Sequence, residues 1–218
     1  MRRIIFIPVL IVVAILAIAG GVLYYLYQGY LYYGTDDAQV TGNILSVSAP
    51  AAGQLTTLDV KLGDRVNRGD KIATITTVSS TTGAKNTVDV TSPMSGVVIQ
   101  DAAIEGQSVA PGFSLVQVTD LSNLTVTAYV DEGAINDIQV GQTVDVTVDA
   151  YSGTSFTGKV QQIVNATAGT FSLLPTQDNA SGNFTKVGQR IPVVITLDST
   201  SGKHIVPGMN TSVKIHIH

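Results

Sequence analysis

Chemistry in a protein is sought first among its histidines, cysteines and paired carboxylates, and in these 218 residues they are few. Cysteine is absent, which removes disulfides, thiolate nucleophiles, thiolate metal sites and lipoprotein-type acylation together. The histidines are His204, His216 and His218. A nucleophilic triad needs a histidine within reach of a serine or cysteine, and no spacing here suggests one. His216 and His218 would share a strand face, which permits a metal contact geometrically. No carboxylate or third histidine stands near them in the sequence, so they are read as a frayed C-terminus, with no metal. Asp36 and Asp37 are adjacent carboxylates, but neighbours on a strand point to opposite faces. The expectation is a solvated strand start, not an acid–base pair. No Walker-type phosphate loop occurs, so ATP binding is not expected. Five Asn-x-Ser/Thr triplets, at Asn123, Asn165, Asn179, Asn183 and Asn210, read as Asn/Thr-rich loops. No catalytic constellation emerges: the chain reads as a non-enzyme without a cofactor.

Bulk properties narrow the alternatives. Beyond Arg3 there remain 10 Lys+Arg against 16 Asp+Glu, a net charge of −6. That balance argues against nucleic acid, whose phosphates require basic surfaces. Charged residues make up 13%, about half the roughly 25% of ordinary globular proteins. Outside the apolar N-terminus the chain is rich in Val, Thr, Ile and Gly, the residues of strands and turns.

The elements that would position any site are organised around a repeat. Residues 50–75 slide onto 93–118 by 43 positions without a gap. Pro50 meets Pro93, Gly53 meets Gly96, Gly63 meets Gly106, Val66 meets Val109 and Gly69 meets Gly112. Apolar positions follow: Leu55 with Val98, Ile72 with Leu115, Ile75 with Val118. Gly and Pro fix where a chain can reverse, so two segments with the same punctuation should bend at the same places. Two copies of one small β unit, packed as a pseudo-symmetric sandwich, are expected.

Before the repeat, Met1-Arg2-Arg3 leads into an uncharged run from Ile4 to Thr35. Its apolar heart, Ile4–Tyr27, would cover about 36 Å as a helix, enough for a bilayer core of roughly 30 Å. Six of the eight tyrosines lie between Tyr24 and Tyr33, at the expected exit from the membrane. Two arginines before the span place the N-terminus in the cytoplasm and the bulk of the chain outside. Ala17-Ile18-Ala19 resembles a signal-peptidase site, but cleavage there would leave a strongly apolar tail, so an uncleaved anchor is preferred.

After the repeat, Leu124–Val130 alternates like a strand, and Asp131–Ile138 suggests a short helix capped by Asp131. Val144, Val146 and Val148 fall on one strand face. Further short strands with glycine turns read as a compact β-barrel, with Pro192 marking an edge or a bulge. The expected organisation is mainly β: residues 1–3 a cytoplasmic tail, 4–28 a transmembrane helix, 29–45 a linker and first strand, 46–120 a sandwich and 121–218 a β-barrel.

A family resemblance rests on three stretches. The segment G-Q-L-T-T-L-D-V-K-L-G-D-R-V-N-R-G-D-K-I-A-T-I, from Gly53, resembles half of a lipoyl/biotinyl domain. Such halves occur in swinging-arm carriers and in the membrane fusion proteins of bacterial exporters. T-D-D-A-x-V-x-G-N-x-x-x-V-S, from Thr35, resembles the opening of the EmrA-type adaptor module. Residues 170–198 are similar to the EmrA-type signature F-S-L-L-P followed by N-A-x-G-N-aromatic-x-K-V-x-Q-R-x-P-V. It is matched by Phe171, Ser172, Leu173, Leu174, Pro175, Asn179, Ala180, Gly182, Asn183, Phe184, Lys186, Val187, Gln189, Arg190, Pro192 and Val193.

The resemblance implies a lipoyl-like sandwich and β-barrel carried by a single-pass membrane protein. It further implies an efflux adaptor in a homo-oligomeric ring on the outer mouth of a major facilitator transporter. Partner contacts are expected at Phe171, Leu173, Leu174, Pro175, Phe184, Lys186 and Arg190, because apolar side chains in a turn-rich loop mark contact surfaces. Adaptors that reach an outer-membrane duct insert a long α-helical hairpin between the lipoyl halves. Here only residues 76–92 separate them, so docking through a coiled coil is not expected. Two alternatives use the same halves: an adaptor for an ATP-driven exporter, and a carrier with lipoyl or biotin on Lys85. Lys85 stands at a carrier-like distance from Pro93, but it follows a slack TTVSSTTGA and lacks the usual Met or Asp neighbour. It is read as a solvated loop lysine.

Overall fold

The structure, a computed structural model, describes residues 2–78, 84–167, 188–200 and 202–218, with side chains left undescribed at 2–11 and 28. The N-terminal helix α1 runs Arg2–Leu31, 30 residues, longer at both ends than the span expected from composition. Val12–Leu31 is long and apolar enough to cross a membrane, and none of it is buried by the protein. By length and composition it is a candidate membrane span.

Residues 41–125 form one compact unit, joined by 205–207. Its strands are β2 (Ile44–Ser48), β3 (Gly53–Leu58), β4 (Arg65–Val66) and β5 (Lys71–Val78). They are followed by β6 (Lys85–Thr91), β7 (Gly96–Asp101), β8 (Ser108–Val109) and β9 (Ser114–Thr119). Two four-stranded sheets result, in the orders β2-β9-β7-β4 and β6-β5-β3-β8. The 43-residue shift turns the first order into the second, so the sequence repeat is a two-fold pseudo-symmetry. The bonds obey it too. Gly63 N–H donates to Val98 O at 2.8 Å, and its counterpart Gly106 N–H donates to Leu55 O at 2.7 Å. Gly63, Gly69, Gly106 and Gly112 have φ of +89°, +91°, +87° and +84°, left-handed turns that any L side chain would strain. The core between the sheets gathers Leu55, Ile72, Ile75, Val98, Leu115 and Val118 from both copies.

The other unit contains a closed barrel in the order β1-β10-β13-β12-β11-β14. Its strands are β1 (Tyr32–Thr41), β10 (Thr125–Asp131), β11 (Thr143–Val148), β12 (Ser155–Ile163), β13 (Arg190–Leu197) and β14 (Asn210–His216). Alternation drives it: Val144, Val146 and Val148 are all fully buried, with Phe156, Ile195 and Ile215. β1 continues directly from α1 and pairs with β14, from Tyr32 opposite His216 to Gln39 opposite Asn210. The strand expected within 29–45 is β1, the first strand of this barrel.

Two local expectations change. The short helix is a single 3-10 turn, Ile135–Asp137, without a side-chain cap; Asp131 instead ends β10. Of the edge or bulge expected at Pro192, the edge is absent, since β13 lies between β10 and β12 in the closed barrel, while the β12–β13 register does shift nearby, between Val160 and Gln162. The proline is accommodated near the strand's start, where its missing N–H costs least, and its carbonyl accepts from Val164 N–H at 2.9 Å.

Candidate functional site

The barrel meets the end of α1 through side chains that alternate along residues 30–37. One set faces β14. Tyr30 stacks on His218 at 4.4 Å between ring centroids, and Tyr32 meets His216 edge-on at 4.8 Å. Lys214 Nζ lies 3.9 Å above the Tyr32 ring, and Ile217 N–H donates to Leu31 O at 3.0 Å. His216 Nε2 is 2.8 Å from Asp145 Oδ2. The C-terminal histidines are therefore not frayed. The carboxylate missing from the local sequence comes from β11, where Asp145 pairs with Lys214 in register. Among the described residues no group of three His, Asp or Glu could hold a metal ion.

The other set faces β10 and β13. Tyr33 Oη donates to Asp131 Oδ2 at 3.4 Å and accepts from Asp131 N–H at 3.1 Å. Thr35 Oγ1 donates to Tyr129 O at 3.2 Å and accepts from Asp37 N–H at 3.1 Å. Arg190 bonds Asp37 through Nη1 and lies 3.6 Å from Asp131 Oδ1 through Nε. A charge-assisted bridge thus crosses three neighbouring strands. Asp36 and Asp37 are both exposed, because a bulge between Thr35 and Ala38 breaks the strand alternation. They serve different surroundings. Asp37 holds Arg190, whereas Asp36 lines a cavity of about 620 Å³ with Tyr25, Tyr32, Asp145 and Lys214.

Of the residues expected to contact a partner, Arg190 sits in this bridge. Phe171, Leu173, Leu174, Pro175, Phe184 and Lys186 lie outside the described residues. Lys85 opens β6 as an exposed residue opposite Val78 in the strand register. β5 and β6 are therefore joined by residues 79–84 alone, which leaves no room for a helical hairpin there. Sequence reasoning missed Tyr33, Asp131, Asp145 and Lys214 as members of the contacts where α1 passes into β1. The opposite charges of T-D-D-A and Q-R-x-P were visible, but nothing local says that Asp37 and Arg190, 153 positions apart, would meet.

Comparison with known proteins covers the same two parts. Residues 43–120 match the YhbJ barrel-sandwich hybrid domain, and 124–215 match the YknX-like β-barrel domain. The putative efflux system component YhbJ of Bacillus subtilis is 41% identical over 213 residues, covering 98% of this chain and 92% of that protein. The colistin resistance protein EmrA of Acinetobacter baumannii is 40% identical over 129 residues, which is 59% of this chain but only 36% of that longer protein. A MacA–MexA chimera carrying the Pseudomonas aeruginosa MexA α-hairpin domain superposes with a TM-score of 0.63 at 21% identity. That match covers 86% of this chain and 82% of the chimera, a likeness of fold.

Proposed function

This chain belongs to the membrane fusion proteins, the adaptor components of efflux systems, and on that premise we propose that it stands on a major facilitator-type transporter. In this reading α1 is the membrane anchor, its N-terminus is cytoplasmic, and the sandwich and barrel lie outside as part of a homo-oligomeric ring over the transporter's outer mouth. The transporter supplies energy coupling and substrate selection, and the adaptor guides or seals the exit path. The observation that carries the proposal is the near-full-length likeness to an efflux component, which extends from the anchor through both β units. The transporter class rests on the EmrA-type stretch at 170–198. The short β5–β6 connection supports a reach that ends near the membrane, with no coiled-coil docking to an outer-membrane duct. Lys85, held in a strand register, is a poor match to a lysine displayed on a tight turn for lipoyl or biotin.

The test is retention of the transporter by the full-length chain in mild detergent. Alanine at Phe171, Leu173 and Leu174 together should lower the retained transporter at least about tenfold, since apolar anchors at an interface centre cost about 2 kcal/mol or more apiece. The thermal transition should stay in place. Undiminished retention would refute this contact surface.

A further inference from the structure

β1 follows α1 without an intervening residue, so the direction of the helix depends on how firmly the first half of β1 is held. On the β14 side the ladder runs from Tyr32–His216 to Thr35–Val213, breaks, and resumes at Ala38–Thr211. The break leaves Asp36 and Asp37 without register partners, the point at which this strand would bend most easily. Side chains supply there what the ladder does not. Thr35 Oγ1 holds Asp37 N–H, Tyr33 is bonded to both the N–H and the carboxylate of Asp131, and Arg190 joins Asp37 to Asp131.

We propose that Arg190 is a positioning residue that fixes the direction in which the membrane helix leaves the barrel. The inference rests on reading α1 as the anchor of an adaptor. Arginine suits the role because its rigid fork of donors can hold two carboxylates from different strands, whereas a lysine offers a single point charge. Stability is not its purpose. Arg190 and Asp37 are 49% and 50% exposed and Asp131 is 68% exposed, and solvent-screened pairs of this kind contribute little to folding. What the bridge constrains is geometry at the bulge, next to the end of the helix. The β14-side contacts of Tyr30 and Tyr32 brace the opposite flank, so β1, from which α1 extends directly, is held between two sets of side chains. Loss of Arg190 would also leave Asp37 and Asp131 repelling each other without a cation between them.

The chain has no cysteine, so spin labels can be placed by Tyr27→Cys on α1 and Gln162→Cys on β12 in the full-length protein in lipid nanodiscs. Pulsed EPR should then give one narrow distance distribution. Arg190→Ala should broaden or shift it while moving Tm by no more than about 4 °C. The charge swap Asp37→Arg/Arg190→Asp restores one cation between two carboxylates and should narrow the distribution again. An unchanged distribution in Arg190→Ala would overturn the proposal, and so would failure of the folded swap variant to restore it. The distance measurement needs no transporter. If Arg190→Ala broadens the distances and the chain retains no transporter, positioning stands and the proposed docking on a transporter falls.

Discussion

The sandwich and the barrel are both small all-β units, yet they are specified differently. In the sandwich each copy of the repeat contributes strands to both sheets, and its turns are fixed by residues next to one another in the chain. Lys61 N–H donates to Asp64 at 2.8 Å and its counterpart Ile104 N–H to Gln107 at 3.2 Å, each across a positive-φ glycine. The barrel borrows this turn too: Gln139 N–H donates to Gln142 at 2.9 Å across Gly141, whose φ is +94°. Its closure, however, depends on β1 finding β14, residues 32–39 pairing with 210–216. Local punctuation can build a repeat; a closed barrel also needs pairings across nearly the whole chain.

Substitution at close-approach glycines breaks this comparison most sharply. A Cβ on Gly53 would sit 2.4 Å from Thr76 O, and one on Gly96 would sit 2.3 Å from Thr119 O. Each Ala variant should cost about 3 kcal/mol by urea unfolding, as overpacking against backbone does, and the two costs should agree within about 0.5 kcal/mol. A large inequality would mean that the symmetry is geometric but not energetic. Gly158→Ala, 2.3 Å from Thr196 O in the barrel, should cost as much, with no symmetric counterpart.

A smaller effect sharpens the likeness between turns. Gly63, Gly106 and Gly141 have open space where a Cβ would go, so alanine there meets only the strain of positive φ. Each variant should lose about 1 kcal/mol, with equal values across sandwich and barrel. A barrel value near zero would show that the third turn relaxes where the repeated ones cannot.

The smallest effect is electrostatic and belongs to the sandwich. A hydrogen bond from Lys71, and a second from Thr74, hold the Asp89 carboxyl below its ordinary 3.8. A depressed carboxylate adds stability above its unfolded pKa, and that stability is lost as pH falls through the folded value. Asp89→Asn should therefore lower Tm slightly at neutral pH, leave it nearly unchanged in acid, and so flatten the decline below about pH 4. An identical acid limb would assign the loss to other groups.

The sandwich was legible because glycine and proline record turn positions directly. Pro50/Pro93 and the paired glycines located strands whose first residues match across the repeat. Parts of the barrel were legible for a different reason: Val144, Val146 and Val148 alternate toward one core. The pairing of its first strand was not, because Tyr30, Tyr32 and Tyr33 suit a membrane interface by type, while their contacts with His218, His216 and Asp131 depend on distant strands. His216 misled in the same way. Its carboxylate, Asp145, is far in sequence and adjacent only once β11 and β14 pair. The bridge from Asp37 to Arg190 spans two stretches that carry the family resemblance. It joins them physically, which neither stretch discloses alone.

The most direct test of the adaptor account is to recover the full-length chain from native membranes in mild detergent and identify what comes with it. The account predicts a major facilitator transporter. An ATP-driven transporter would keep the adaptor role and contradict the partner class. A carboxylase or dehydrogenase complex, with added mass on Lys85, would contradict the account itself.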